Sequence, residues 1–224
     1  MSAEQLHQRL VSGLDGLQLE LPESVLKGLL AYLELLAKWN RSYNLTAVRD
    51  MSEMVTRHLL DSLAVVPYLP AGRIIDIGTG GGLPGIPLSL VFPERDFTLL
   101  DSNGKKTRFL VQAKASLGLK NVTVVHQRVE NYQSDLPFDC VITRAFASVT
   151  DILTGSRHLL GSGGEVLAMK GEVPEGELAV LPAGYRLLEV IPLRVPGLEQ
   201  EQRHLLRFGC DNNNGSDNQA GESI

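Results

Sequence analysis

The run Arg73-Ile-Ile-Asp76-Ile-Gly78-Thr-Gly80-Gly-Gly82-Leu83-Pro84-Gly85 constrains the fold more than any other part of the chain. A β-branched strand runs into an acid and then into a glycine cluster, where residues without a Cβ let the backbone approach a ligand closely. A second apolar strand, Phe97-Thr-Leu-Leu100, ends on another carboxylate, Asp101. Strand, glycine loop, helix, strand and acid is the layout of a βαβ unit that cradles an adenosine-containing cofactor.

The sequence that follows repeats this unit. Strands are expected at 73–77, 97–100, 122–125, 139–143 and 165–169, and helices at 85–92, 105–117 and 149–160, with Gly118 as a left-handed helix stop. Such alternation requires a parallel sheet with right-handed crossovers and helices on both faces. After Lys170 the rhythm breaks: 185–191 and 203–208 read as two strands with no helix between them, giving the sheet an antiparallel edge. The predicted class is α/β, Rossmann-like and mostly parallel, with an antiparallel last strand.

The first seventy residues read as helical. Val25, Leu26, Leu29, Leu30, Leu33 and Leu36 recur at helical spacing. Asp50 followed by Glu53 resembles a capping box and opens a second helix that Pro67 stops. Trp39 to Arg49 reads as a polar, aromatic and basic connector between the two. The expected division is a helical extension, 1–70, a core, 71–210, and a Gly/Asn-rich tail, 211–224, predicted to be disordered.

Charge adds a constraint on partners. The net charge is −5, but the tail carries three acids and no base, so the remainder is close to neutral. A near-neutral body can carry a local basic face, although global steering onto a polyanion is modest. No apolar run approaches the roughly 20 residues that span a bilayer, and the N-terminus lacks a secretory pattern. Cys140 and Cys210 match no metal spacing. The expectation is a cytoplasmic protein with no metal and no membrane partner.

Which adenosine cofactor the loop takes follows from its details. A dinucleotide fingerprint needs a third small residue for close helix–strand packing, and here that position is Leu83, followed by Pro84. The loop has no lysine followed by Ser or Thr, which excludes a P-loop. Asp76, two residues before Gly78, suits a ligand with a positive amino group and a sulfonium. Asp101 can accept both ribose hydroxyls of any adenosine. Asp-x-Gly-x-Gly with a distal acid resembles the class I S-adenosylmethionine-dependent methyltransferases.

A narrower resemblance rests on four stretches in order: Trp39-Asn-Arg-Ser-Tyr-Asn-Leu-Thr46, Arg57-His-Leu-Leu-Asp-Ser62, Asp76 to Pro87, and Arg144-Ala-Phe-Ala147. Over about 20–208 the chain resembles the RsmG (GidB) family of bacterial 16S rRNA guanine-N7 methyltransferases. The resemblance implies S-adenosyl-L-methionine as cofactor, S-adenosyl-L-homocysteine as product, and 16S rRNA, a small subunit or an assembly intermediate as partner of a monomer. It also implies cofactor contacts at Gly78 and Leu83, which with Asp76, Gly80 and Asp101 make up the loop side of the site. Val129 and Glu130 are implied at the adenine, and Arg144 near both cofactor and incoming base. Gly81 departs from the proline expected of many relatives.

The residue chemistry agrees with that expectation. The chain lacks the Asn/Asp-Pro-Pro motif of amino-directed enzymes after strand four, and Cys140 falls inside the strand, where packing rather than nucleophilic attack is its expected role. Guanine N7 offers a lone pair with no proton to remove, so positioning can supply most of the rate. Arg144 can meet O6, a phosphate or the cofactor carboxylate; a surface ion pair is the alternative. Phe146 can stack on a splayed base or pack in the core. Arg41, Arg49, Arg57 and His58 are candidates for rRNA phosphates, against solvated or packed helix faces, and Lys170 is a weaker one. The predicted reaction is methyl transfer from S-adenosyl-L-methionine to N7 of one guanosine in 16S rRNA. A small-molecule methyltransferase, a nicotinamide-dependent oxidoreductase and a non-catalytic nucleotide sensor remain as alternatives.

Overall fold

Seven strands form one sheet in the computed structural model, which describes residues 2–144 and 147–210. They are β1 (Ile74–Ile77), β2 (Phe97–Asp101), β3 (Val122–His126), β4 (Phe138–Arg144), β5 (Leu160–Lys170), β6 (Tyr185–Pro192) and β7 (His204–Cys210). Their order is β3-β2-β1-β4-β5-β7-β6, parallel from β3 through β5. The chain reverses its direction of winding between β1 and β4, and in such sheets ligands bind beyond the carboxyl ends of the strands at that switch point.

The helices are α1 (Ala3–Gly16), α2 (Glu23–Tyr43), α3 (51–63), α4 (Gly85–Val91), α5 (Gly104–Leu117), α6 (Val149–Ser156) and the short α7 (Glu175–Leu178). Alternation along β1 divides the core. Ile74 belongs to a cluster with Leu29, Leu33 and Leu36 of α2, Leu59 of α3, Ile86 of α4 and Phe109 of α5. Ile75 and Ile77 point the other way, to Ile152 and Leu153 of α6, Phe138 and Phe208. The N-terminal helices therefore share one continuous core with a face of the sheet.

Several expectations are corrected in detail. The last two strands do form an antiparallel edge, but out of sequence order: β7 inserts between β5 and β6, antiparallel to both, while β6 takes the outside. That insertion gives the buried Leu205, Leu206 and Phe208 two partner strands, as their apolar character demands. The supposed connector is helical through Tyr43, and the chain turns only at Asn44, with φ 50°. Trp39 stacks on Tyr43 at 5.0 Å and meets Phe109 at 5.8 Å, so this half of α2 is a packing surface. Helix α6 passes after Ser156 into a 3-10 turn, Arg157–Leu159, and Gly161, Gly163 and Gly164 are absorbed into β5 beside a register shift against β4.

Helix α3 is capped as expected: Asp50 Oδ1 accepts from Ser52 N at 2.9 Å and Glu53 N at 3.0 Å. Its middle, Val55–Leu60, is a π-helix, a wide turn frequent at functional sites. Gly118 holds the left-handed end of α5 at φ 65°. Phe146 and the 211–224 tail lie outside the described residues. Among the described residues, no helix is long and apolar enough to cross a membrane.

Candidate active site at the carboxyl edge of the sheet

The glycine loop is braced from within. Asp76 is fully buried, and its Oδ2 accepts from Thr79 Oγ1 at 2.7 Å and from Gly85 N at 2.8 Å. Its Oδ1 is buried with no hydrogen-bond partner in the described structure. Burial pushes the carboxyl up to about 7, opposed by the Thr79 and Gly85 bonds and the field of Arg144. Asp76 is thus a brace for the loop and does not line an open cleft.

Close packing of helix on strand is supplied two residues beyond Leu83. The small residue that lets helix meet strand is Gly85, where a Cβ would lie 2.2 Å from Leu99 Cδ2 and 2.8 Å from Asp76 Oδ2. Leu83 is buried in the core, its N–H donating to Thr79 O at 3.0 Å. Gly82, at φ 89°, makes the turn between them. The loop is held from outside by α2: the buried Tyr32 hydroxyl donates to Gly81 O at 2.6 Å, and a Cβ on Gly81 would stand 3.2 Å from Leu36.

Register places Asp101 beside this loop. Ile77 pairs with Leu100, and Gly78 N donates to Leu100 O at 2.9 Å. Asp101 Oδ2 accepts from Gly80 N at 2.9 Å, its Oδ1 accepts from Asn103 N at 2.8 Å, and Lys106 Nζ lies 3.7 Å away. Gly78, Asp101, Val129 and Glu130, all expected in the site, line one cleft of about 340 Å³. Val129 is buried and Glu130 exposed. Arg128, Asn103 and Lys106 also line it, and sequence reasoning missed them. Its only signal for Arg128 was adjacency to Val129.

A second cleft of about 390 Å³ lies over β4 and β5. It brings together Arg57, His58, Arg144 and Lys170, which the sequence proposed separately. Arg144 ends β4, two residues past the Asp76–Ile142 pairing. Its Nη1 donates to Asp61 Oδ2 at 2.8 Å and to Arg57 O at 3.0 Å. Asp61 Oδ1 accepts from Arg203 Nε at 3.1 Å, and Arg203 Nη2 reaches Glu201 at 2.8 Å. Glu201 also takes both Nη atoms of Arg57. That bond raises the Arg57 pKa further and holds Glu201 below its ordinary range.

Asp61, Glu201 and Arg203 are therefore the residues that sequence missed here. Asp61 stood in the matching run Arg57 to Ser62, yet nothing in its spacing pointed to partners in the 201–203 turn. His58 Nε2 meets Thr46 Oγ1 at 2.9 Å, while its Nδ1 is buried without a partner. Burial, then the charge of Arg144, lowers His58 to about 4, so the ring is neutral near pH 7. Lys170 Nζ donates to Ala147 O. Arg41 and Arg49 are exposed and line neither cleft, Arg49 bonding Asn44 Oδ1 at 3.2 Å. A larger cavity, about 650 Å³, lies between the end of α1 and residues 192–204, away from the glycine loop.

The donor set fits an adenosyl amino-acid cofactor. Asp101 offers carboxylate oxygens at the cleft, Val129 offers an apolar wall, and Asp76 Oδ1 is an unpartnered buried oxygen under the loop. Among the described residues there is no cluster of three metal-ligating side chains.

Comparison with known proteins identifies the family. Residues 26–206 match the family model for GidB, rRNA small subunit methyltransferase G. The chain is 56% identical over 209 residues to the ribosomal RNA small subunit methyltransferase G of Ectopseudomonas mendocina (strain ymp), covering 92% of this chain and 97% of that one. Against the protein of the same name from Hydrogenovibrio crunogenus it is 53% identical over 194 residues, 87% of this chain and 90% of that one. Among solved structures, TrmN from Thermus thermophilus aligns with a TM-score of 0.54 at 17% identity, over 76% of this chain and 53% of that one, a likeness of fold alone. The chain belongs to the rRNA small subunit methyltransferase G family.

Proposed function

We propose that this methyltransferase transfers a methyl group from S-adenosyl-L-methionine to N7 of one guanosine in 16S rRNA. The observation that carries this reading is the pair of clefts on one sheet edge, on either side of the β1–β4 switch point, with Arg144 at the inner wall of the second. Family and fold imply S-adenosylmethionine as the methyl donor. When bound, the cofactor supplies an electrophilic methyl on a sulfonium and departs as S-adenosyl-L-homocysteine.

The chain's own residues then have distinct tasks. Asp101 accepts from the ribose, Val129 and Glu130 border the adenine, and Gly78 and Gly80 present backbone to the cofactor, with Leu83 setting the loop from below. Asp76 fixes the loop and favours a cationic amino group by its field. Arg144 keeps free donors beyond Nη1 for guanine O6 or the cofactor carboxylate. No residue needs to take a proton, because N7 attacks through a lone pair. A His58 held near 4 is a poor base at pH 7, which suits such a reaction. Lys170 and Arg57 are assigned to rRNA phosphates.

The same reading places the protein in the cytoplasm as a monomer acting on rRNA, a subunit or an assembly intermediate. It keeps 1–70 as an extension that supports the 71–210 core. The test supplies labelled cofactor with and without unmodified 16S rRNA or 30S subunits. Turnover that requires RNA, and that Arg144→Ala reduces with its fold intact, is expected. Turnover without RNA would favour a small-molecule methyltransferase.

A further inference from the structure

Charge is distributed unevenly in this acidic chain. From Ser102 to Val129 there are six lysines and arginines, and every one of the 26 acids lies elsewhere. Half of this stretch is α5, whose N-terminal end borders the Asp101 cleft through Asn103 and Lys106. Lys105 and Arg108 are exposed and stand one turn apart, so they are neighbours on the helix surface. Lys120 is exposed beyond the helix end, and Lys114 is half-buried.

These cations differ from those of the Arg144 cleft. Among the described residues, Lys105, Arg108, Lys114 and Lys120 enter no ion pair. Arg57, Arg144 and Arg203 are each bound to Asp61 or Glu201. A phosphate meets the second set with part of its charge already neutralised by a carboxylate, whereas the first set meets it with only hydration to lose. Cations that neutralise phosphates release condensed counterions, and this supplies most sequence-independent affinity for RNA. A protein with net charge −5 needs such a local face to approach a polyanion at all.

We infer that the exposed face of α5, led by Lys105 and Arg108, is the surface on which the RNA phosphodiester backbone docks beside the methyl-transfer site. The inference rests on the rRNA methyltransferase reading and adds to it the place where the substrate lies. It also moves the main electrostatic contact away from Arg41, Arg49 and Arg57 of the N-terminal region.

The test is binding of 16S rRNA measured by filter retention across a potassium chloride series, independently of methylation. The double variant Lys105→Gln/Arg108→Gln is compared with the unaltered protein and with Lys27→Gln, a surface lysine paired with Glu23. The double variant is expected to bind about tenfold more weakly at moderate salt, with a log–log salt slope shallower by about 1.5–2. Its affinity for S-adenosyl-L-homocysteine and its melting temperature should not change, and Lys27→Gln should leave the slope alone. A slope and affinity equal to those of the unaltered protein would overturn the inference, as would failure of the unaltered protein to bind RNA. A shallower slope in a protein that labels no guanosine would instead leave the surface standing and remove the N7 reading.

Discussion

The Asp101 cleft takes its lining from residues 78–130, the consecutive strand ends and loops of β1, β2 and β3. The Arg144 cleft draws on residues from Val48 to His204, in segments that meet only in three dimensions. The first is held mostly by backbone N–H groups donating to two carboxylates, Asp76 and Asp101. The second is held by guanidinium–carboxylate pairs that run from α3 through Asp61 to the 201–203 turn. Local turns can build the first, whereas the second exists only once the N-terminal helices and the last strands are docked.

That contrast predicts the largest effect at Asp61. Asp61→Ala strands two arginines beside a buried site, and removal of one partner from a buried pair costs about 3–5 kcal/mol. Urea denaturation should register that loss; an unchanged midpoint would show that the network does not hold the cleft together. The matching change in the first cleft, Asp101→Ala, should act on binding more than on folding. Charge-assisted bonds of about 1.5–3 kcal/mol each are lost there, so the calorimetric dissociation constant for S-adenosyl-L-homocysteine should rise at least about tenfold. An unaltered constant would take Asp101 out of the cofactor site.

Two smaller changes probe the glycine loop. Gly85→Ala forces a Cβ into Leu99 and Asp76, and overpacking of this kind costs about 1–3 kcal/mol. Tyr32→Phe leaves the Gly81 carbonyl without its donor at a cost of about 0.5–1.5 kcal/mol. Thermal melts rank the two, and a Tyr32→Phe protein as stable as the parent would mean that α2 does not brace the loop.

The smallest effect is one that the two regions conceal from each other. Asp76, raised to about 7, binds a proton in the folded state between pH 4 and 7 that the unfolded chain has released, so its contribution to stability falls as pH rises. His58, lowered to about 4, is neutral in the fold while the unfolded ring is charged below about 6.5, so its contribution rises over nearly the same window. The parent profile should be nearly flat between pH 4.5 and 6.5 as far as these groups decide it. Asp76→Asn should tilt it upward with pH and His58→Asn downward; parallel tilts would show that one of the two carries no such proton.

The same difference in construction explains what was legible in the sequence. Asp76, Gly78 and Asp101 announce a βαβ site because the backbone itself makes it, and the spacing of glycines and acids along the chain is its geometry. The parallel strands were legible as short, continuous apolar runs alternating with helices, the pattern of strands covered on both faces. The insertion of β7 was hidden, because two apolar strands joined by a Pro-rich turn read alike in either order. Tyr32 lay outside the leucine pattern of α2, and its hydroxyl gave no sign that Gly81 lay opposite. Asp61 and Glu201 were hidden because ion pairs between residues 142 and 144 positions apart leave no periodicity.

The central claim is that one edge of the sheet brings cofactor and guanine N7 together. It is tested most directly by incubating the protein with S-adenosyl-L-methionine and unmodified 16S rRNA, 30S subunits or assembly intermediates, then cleaving the RNA chemically at N7-methylguanosine and mapping the ends. One cleavage site, at one guanosine, in at least one of the three substrates is the predicted result. Methyl label on another base or atom, or in none of the three RNAs, would contradict it.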